Sequence, residues 1–226
     1  MRSRTVSSSS IRRDVCVQAV STSPEVAGAV FGDRLALAER YAELLATGGI
    51  ERGLIGPREA DRLWERHLLN SAVVGELVPD SARVLDVGSG AGLPGIPLAI
   101  ARPDLQVELV EPLLRRTTWL EETVDELGLA DTVVITRGKV VVIGPRQVDV
   151  VTARAVAPLE RLLPMCMPLL RPGGLLLAVK GEQAQAEVDA VHRQASKWRV
   201  SSLDVARCGR GVLAEETTVV VARRSG

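Results

Sequence analysis

Val84-Leu85-Asp86-Val87-Gly88-Ser89-Gly90-Ala91-Gly92-Leu93-Pro94-Gly95 decides the fold. An apolar run enters a stretch with almost no side chains, and a helical pattern begins at about Pro94. Glycine reaches positive φ and lets backbone approach a ligand closely, so the order is strand, loop, helix. Outward from this loop the alternation repeats. Residues 83–87, 106–110, 132–136, 148–152, 175–179 and 217–222 read as strands. Residues 94–101, 114–127, 158–169 and 183–197 read as the helices between them. This predicts an α/β domain over 81–226, a mostly parallel sheet with helices on both faces. Ligands of such sheets bind at the carboxyl ends of the strands, after Val87, Val110, Thr136 and Thr152.

Upstream the texture differs. Residues 1–23 are serine-rich and carry Arg2, Arg4, Arg12 and Arg13, with no apolar stretch of the secretory kind; a loose basic arm is expected. Residues 24–80 read as a small helical region. Leu35, Ala38, Tyr41, Leu44 and Leu45 recur at helical spacing, and Gly48-Gly49 is expected to close that helix. After Pro57, Ala60, Leu63, Trp64, His67, Leu68 and Ala72 share one helical face, with Arg58, Arg62 and Arg66 on a neighbouring stripe.

Composition narrows the function. Twenty-eight basic residues balance 28 acidic ones, so no global field draws the chain to nucleic acid or membrane. A polyanion partner must meet a local patch. The cysteines Cys16, Cys166 and Cys208 are far apart and His67 and His192 are the only histidines, which argues against a disulfide framework or a metal site and for a cytoplasmic setting. No run of about 18 apolar residues is present to span a membrane. Aromatic residues make up only 2%, too few for stacking many successive RNA bases.

The glycine register from Gly90 to Gly95 meets the G-x-G-x-x-G dinucleotide spacing, so a nicotinamide-dependent oxidoreductase stays open on spacing. Pro94, however, removes an N–H where a pyrophosphate needs donors. Asp86 just ahead of the glycines suits a ligand with an ammonium group and no phosphate, and S-adenosylmethionine is such a ligand. Glu111, closing the second strand, is placed to accept both ribose hydroxyls. Gly88 and Gly90 supply the close approach, Val140 and Val141 are either adenine neighbours or plain core, and Arg154 ends the fourth strand facing the cleft. Cys166 sits mid-helix and reads as buried filler rather than a nucleophile. No Ser-His-Asp set is readable, and no Asp/Asn-Pro-Pro-aromatic segment of the kind used on exocyclic amines follows the fourth strand.

With these residues in place, the chain resembles the bacterial small-subunit ribosomal RNA guanine-N7 methyltransferases, the RsmG or GidB family, in their actinobacterial form. The matching segments are Arg66-His67-Leu68-Leu69-Asn70-Ser71, Asp86 to Leu98, Glu111-Pro112-Leu113-Leu114-Arg115-Arg116, Ala153-Arg154-Ala155-Val156-Ala157-Pro158-Leu159 and Lys180-Gly181-Glu182. The resemblance implies a class I S-adenosylmethionine-dependent methyltransferase with a seven-stranded sheet, acting on 16S ribosomal RNA or the small subunit as a monomer without metal. It assigns donor contacts to Gly88, Leu93, Val140, Val141 and Arg154. Where the family carries Arg-Ala-Glu-Glu after the third strand, this chain reads Lys139-Val140-Val141-Val142, so only backbone contacts carry over there.

Guanine N7 has an in-plane lone pair and no proton, so transfer to it needs no general base, and no catalytic acid or base is assigned. Candidates for RNA contact are Arg66, His67, Arg115, Arg116 and Lys180, with Arg58 and Arg62 beside them and Arg154 for O6 or phosphate. A methyltransferase for another RNA or a small molecule, and a binding module without catalysis, are the remaining alternatives.

Overall fold

The computed structural model describes residues 23–226. The expected arm, apart from Ser23, and Cys16 lie outside the described residues. Strands β1 (Arg83–Val87), β2 (Gln106–Glu111), β3 (Val133–Arg137), β4 (Val148–Arg154), β5 (Leu170–Lys180), β6 (Val200–Cys208) and β7 (Thr217–Arg224) form one sheet. Its order is β3-β2-β1-β4-β5-β7-β6. Strands β1 to β5 are parallel, and β7 runs antiparallel to β5 and β6. The helices are α1 (Glu25–Phe31), α2 (Leu35–Leu44), the single turn α3 (Asn70–Ala72), α4 (Gly95–Ala101), α5 (Leu114–Glu126), α6 (Leu159–Cys166) and α7 (Ala184–Val191).

Alternation along each strand builds two cores. Val84, Val107, Leu109 and Val150 pack with Ala27, Tyr41, Leu63, Leu98 and Leu120 on one face. Their chain neighbours Leu85, Val110 and Val151 pack with Leu162, Cys166 and Val188 on the other. Successive side chains on a strand point to opposite faces, so both faces of the central strands are apolar and both are covered.

Strand β6 has no counterpart among the segments that read as strands. It is an edge strand whose polar Ser201, Ser202, Asp204 and Arg207 are exposed, and its register shifts between Val200 and Ser202. Edges are commonly blunted by charge and bulges, which erases the apolar pattern that marks central strands.

Two helical expectations change. The first helix does not close at Gly48-Gly49; it widens into a π-helical turn over Leu45–Gly49, and the chain reverses at Gly53, whose φ is 63°. Gly48 serves packing instead, because a Cβ there would lie 3.0 Å from the Trp119 ring. The second is not one α-helix. Pro57–Arg62 is 3-10 and Leu63–Leu69 is π-helical, so Arg58, Arg62 and Arg66 lack the α-helical stripe, although all are exposed. The apolar set Ala60, Leu63, Trp64, Leu68 and Ala72 is buried as the pattern predicts. Among the described residues, no helix is long and apolar enough to cross a membrane.

Candidate functional site

The glycine loop leaves β1 in the middle of the sheet. Gly88, Gly90 and Gly92 have φ of 68°, 58° and 106°. At Gly92 a Cβ would stand 2.4 Å from Ile96 Cδ1, and at Gly95 2.3 Å from Leu109 Cδ2. Backbone conformation requires the first glycines and interior crowding the last. The loop apex is held from two sides. Tyr41 Oη donates to the Ala91 carbonyl at 2.9 Å, and Trp119 Nε1 donates to the same oxygen at 3.1 Å. Both aromatic side chains are buried, so each polar tip needs that partner.

Asp86 stands elsewhere than its chemistry suggests. The residue is fully buried; Oδ1 accepts from Thr152 Oγ1 at 2.9 Å and Oδ2 from the Gly95 N–H at 3.2 Å. Burial raises its pKa to about 6, against the hydrogen bonds that favour the anion. Both oxygens are engaged inside the protein, and the carboxylate acts as a clamp joining β1, β4 and the start of α4. Glu111 lies at the loop as expected, 1% exposed. Its carboxylate accepts from the Gly90 N–H at 3.1 Å and the Leu113 N–H at 3.0 Å, and pairs with Arg116 at 3.4 Å. Arg116 is thereby half-buried beside Glu111, while Arg115 is exposed.

The turn after β3 is tied to this corner by Gly138 N–H donating to the Glu111 carbonyl at 3.1 Å. Val140 is buried and packs with Val87 and Val110, while Val141 is 70% exposed. Leu93 is half-buried against the core below the loop.

At the end of β4, Arg154 is a strut between the sheet and the helical region. Its Nη2 donates to the Arg66 carbonyl and to His67 Nδ1, both at 2.8 Å; its Nη1 donates to Ser71 Oγ at 3.1 Å. Burial lowers its pKa. A guanidinium so engaged is not a free donor for O6 or phosphate. The other nitrogen of His67 lies 2.8 Å from Glu59 Oε2. Burial and the Arg154 charge lower the His67 pKa, so a neutral imidazole accepts from Arg154 and donates to Glu59. Lys180 is likewise engaged: its Nζ donates to the Ala157 carbonyl and pairs with Glu187, both at 2.8 Å. Cys166 is fully buried, and burial pushes its thiol up to about 12.

Beside Arg154 opens a cleft of about 800 Å³. Arg66, Asn70, Arg154, Lys180 and Arg207 line it together with the carboxylates Glu182, Glu215 and Glu216. His67, Arg115 and Arg116 are not among its lining. Several residues of this region escape sequence reasoning. Tyr41 enters the sequence reading only as part of an apolar helical face and Ser71 only within a matching segment, Trp119 and Glu59 carry no assignment, and Arg207 lies on the unrecognised strand. The lone tyrosine carried one usable signal, since a buried hydroxyl needs a partner.

Known proteins resemble this chain in sequence and in fold. The family model described as GidB, rRNA small subunit methyltransferase G, matches residues 34–217. A ribosomal RNA small subunit methyltransferase G of Mycolicibacterium paratuberculosis is 53% identical over 211 residues, 92% of this chain and 85% of that protein. The Mycobacterium marinum protein of the same name is 54% identical over 202 residues, 88% of this chain and 89% of its own. Among solved structures, a SAM dependent methyltransferase from Aquifex aeolicus superposes with TM-score 0.53 at 18% identity, covering 78% of this chain and 97% of that one. M. jannaschii TYW2 in complex with AdoMet gives 0.56 at 17% identity, covering 72% and 78%. The likeness to these structures shows the fold, a class I methyltransferase sheet, and the sequence match places the chain in the GidB family of small-subunit ribosomal RNA methyltransferases.

Proposed function

We propose that this protein transfers a methyl group from S-adenosylmethionine to N7 of a guanine in small-subunit ribosomal RNA, in the cytoplasm. The observation that carries the reading is an adjacency. The glycine loop, with Glu111 at its edge, leaves β1 beside β4, whose end at Arg154 and Ala155 lines a cleft of about 800 Å³, within the ~300–1,000 Å³ of ligand sites. The relatives' names supply the acceptor.

The donor fits the residues present. Positive-φ backbone at Gly88 and Gly90 bends a loop with no side chains of its own at these positions, Val156 packs beside Gly88, and Glu111 is bonded to the loop's edge through the Gly90 N–H. Bound there, the donor supplies an electrophilic methyl on a cationic sulfur. Glu111, whose carboxylate also accepts from the Gly90 and Leu113 N–H groups, would hold the ribose side of the donor, and the turn at Val140 and Val141, tied to Glu111 through Gly138, would border the adenine. Leu93 and the apex fixed by Tyr41 and Trp119 keep the cradle rigid. Arg154 and Ser71 hold the helical region against β4, so residues 24–80 act as the acceptor-side wall. Since N7 carries no proton, these residues hold and orient; none moves a proton. Orientation of this kind is worth up to ~7–11 kcal/mol.

Reverse transcription of small-subunit RNA after borohydride and aniline treatment tests the reading. Incubation with protein and donor produces a stop at a single guanine. Absence of any stop, with donor binding intact, overturns the acceptor assignment.

A further inference from the structure

The described chain holds a second concave surface, at the end of the sheet opposite the glycine loop. Strand β7 runs antiparallel to β5, with Lys180 paired to Thr218 and Leu175 to Arg223, so Arg224 closes β7 at the amino ends of the parallel strands. There a pocket of about 400 Å³ is lined by Pro164, Pro168 and Trp198 together with Lys197, Arg199 and Arg224. No carboxylate lines it. Arginines 40, 52, 66, 102, 116, 146, 171 and 210 sit in ion pairs with carboxylates. Among the described residues, Lys197, Arg199 and Arg224 have none. In a chain of zero net charge, that is a local excess of positive charge around a half-buried indole.

Contacts fix the Arg199 backbone and the Arg224 side chain at this surface. Arg199 sits at φ 59° and ψ 39°, the left-handed region a non-glycine residue occupies only when its surroundings impose it. Its carbonyl accepts from Ser225 N–H at 2.7 Å, which fastens the chain end beside it. Arg224 Nη1 donates to the Leu170 carbonyl, while its Nε is buried without a hydrogen-bond partner.

We infer that this pocket binds one nucleotide of the ribosomal RNA substrate away from the methylated base, its base against Trp198 and its phosphates on Lys197, Arg199 and Arg224. The size suits one nucleotide and no more, near the lower end of the ~300–1,000 Å³ of ligand sites. An indole flanked by guanidinium and ammonium groups is the pairing that binds single-stranded nucleic acid without reading sequence. The surface thus supplies a second point of grip for a polyanion that the balanced overall charge does not attract. The inference rests on ribosomal RNA being the substrate.

Arg199→Gly makes a clean probe, because glycine adopts the observed φ without strain while losing the cation. Lys197→Glu/Arg199→Gly is compared with wild type for binding small ribosomal subunits, across salt, and for methylation kinetics. Each lost phosphate contact removes about 0.7–0.9 from the slope of log K against log salt, so the double variant flattens it by about 1.5. Over the decade from 1 M to 0.1 M salt that corresponds to a loss of about thirtyfold in affinity. KM for subunits rises, while the saturated rate and S-adenosylmethionine affinity stay at wild-type values. Affinity and salt slope equal to wild type overturn the inference. So does weakened binding of adenosine monophosphate with unchanged subunit binding, which would make the pocket a free-nucleotide site. If wild type itself methylates no small-subunit RNA, the function proposed above fails instead.

Discussion

The glycine loop and the segment 57–77 both border the site, and they are specified in opposite ways. In the loop, the chain's own backbone is the constraint: positive φ at Gly88, Gly90 and Gly92, with no space for Cβ at Gly92 and Gly95. In the helical segment local contacts, such as Glu59 with Arg66 and His67, are joined by contacts from distant chain. Its 3-10 and π-helical turns are stabilised by what reaches them from afar, Arg154 binding Arg66, His67 and Ser71 across more than 80 residues of chain. Irregular helical turns often mark functional positions, and here they turn carbonyls toward a guanidinium. A locally encoded element should fail all at once when a single residue changes; a tertiary one should fail by degrees.

The largest effect is therefore expected in the loop. Gly88→Val puts a β-branched residue at φ 68°, with a Cβ 3.0 Å from Val156. Donor affinity should fall by more than about a hundredfold, ~2.7 kcal/mol or more. Far-UV dichroism should stay native, because the strain of about 1–3 kcal/mol is confined to one turn. Unchanged affinity by calorimetry would remove the loop from the site.

Next comes the clamp beneath the loop. Burial raises the Asp86 pKa to about 6, above its 3.8 in the unfolded chain. The folded state then binds this proton more tightly, so stability from this group is greatest below pH 4 and declines as pH rises to about 6. At 1.4 kcal/mol per pH unit the decline is on the order of 3 kcal/mol. Asp86→Asn removes this component, and urea melts across pH 4–6 should show the difference. A slope shared by wild type and variant would mean that the clamp is not titrating.

What was legible follows the same division. Strands β1, β2, β4, β5 and β7 show in the sequence because burial on both faces leaves apolar runs, the edge strand β3 shows through its β-branched run Val133-Val134-Ile135-Thr136, and Gly88, Gly90 and Glu111 show because their spacing is local. Strand β6 stays hidden since this edge strand is polar, and with it Arg207. Asp86 was visible as an acid, but not its inward direction, which depends on Thr152 from another strand. The Glu59–His67–Arg154 chain is invisible in one dimension, because nothing near residue 59 announces residue 154.

Tyr41 joins the two regions: it belongs to the helical part and holds the loop. Tyr41→Phe keeps the ring and deletes the bond to the Ala91 carbonyl, leaving Trp119 as that oxygen's donor. With the acceptor still satisfied, the loss should be about 0.5–1.5 kcal/mol in stability and only a few-fold in donor affinity. A collapse of donor binding as severe as in Gly88→Val would show that the loop is not locally encoded.

The smallest effect on chemistry is expected where the hydrogen-bond chain looks most like catalytic apparatus. Glu59, His67 and Arg154 lie in line at 2.8 Å spacings, a carboxylate–imidazole arrangement that elsewhere serves proton transfer. Here the imidazole's second nitrogen meets a guanidinium, which has no proton to give near neutral pH. Burial and the Arg154 charge lower the His67 pKa, whereas the Glu59 partner opposes them. The stability His67 contributes is fully present above its unfolded value of about 6.5 and is lost as pH falls below it, because charging the ring places it against Arg154. The saturated single-turnover rate should show no titration between pH 6.5 and 8. His67→Asn should lower that rate by less than about tenfold, ~1.4 kcal/mol of barrier. General acid–base catalysis is typically worth about 10²–10⁴-fold, so the outcomes separate cleanly. A rate–pH sigmoid that vanishes in His67→Asn with a loss beyond a hundredfold would make His67 a proton-transfer residue. The nucleophile would then have to carry a proton, and guanine N7 does not.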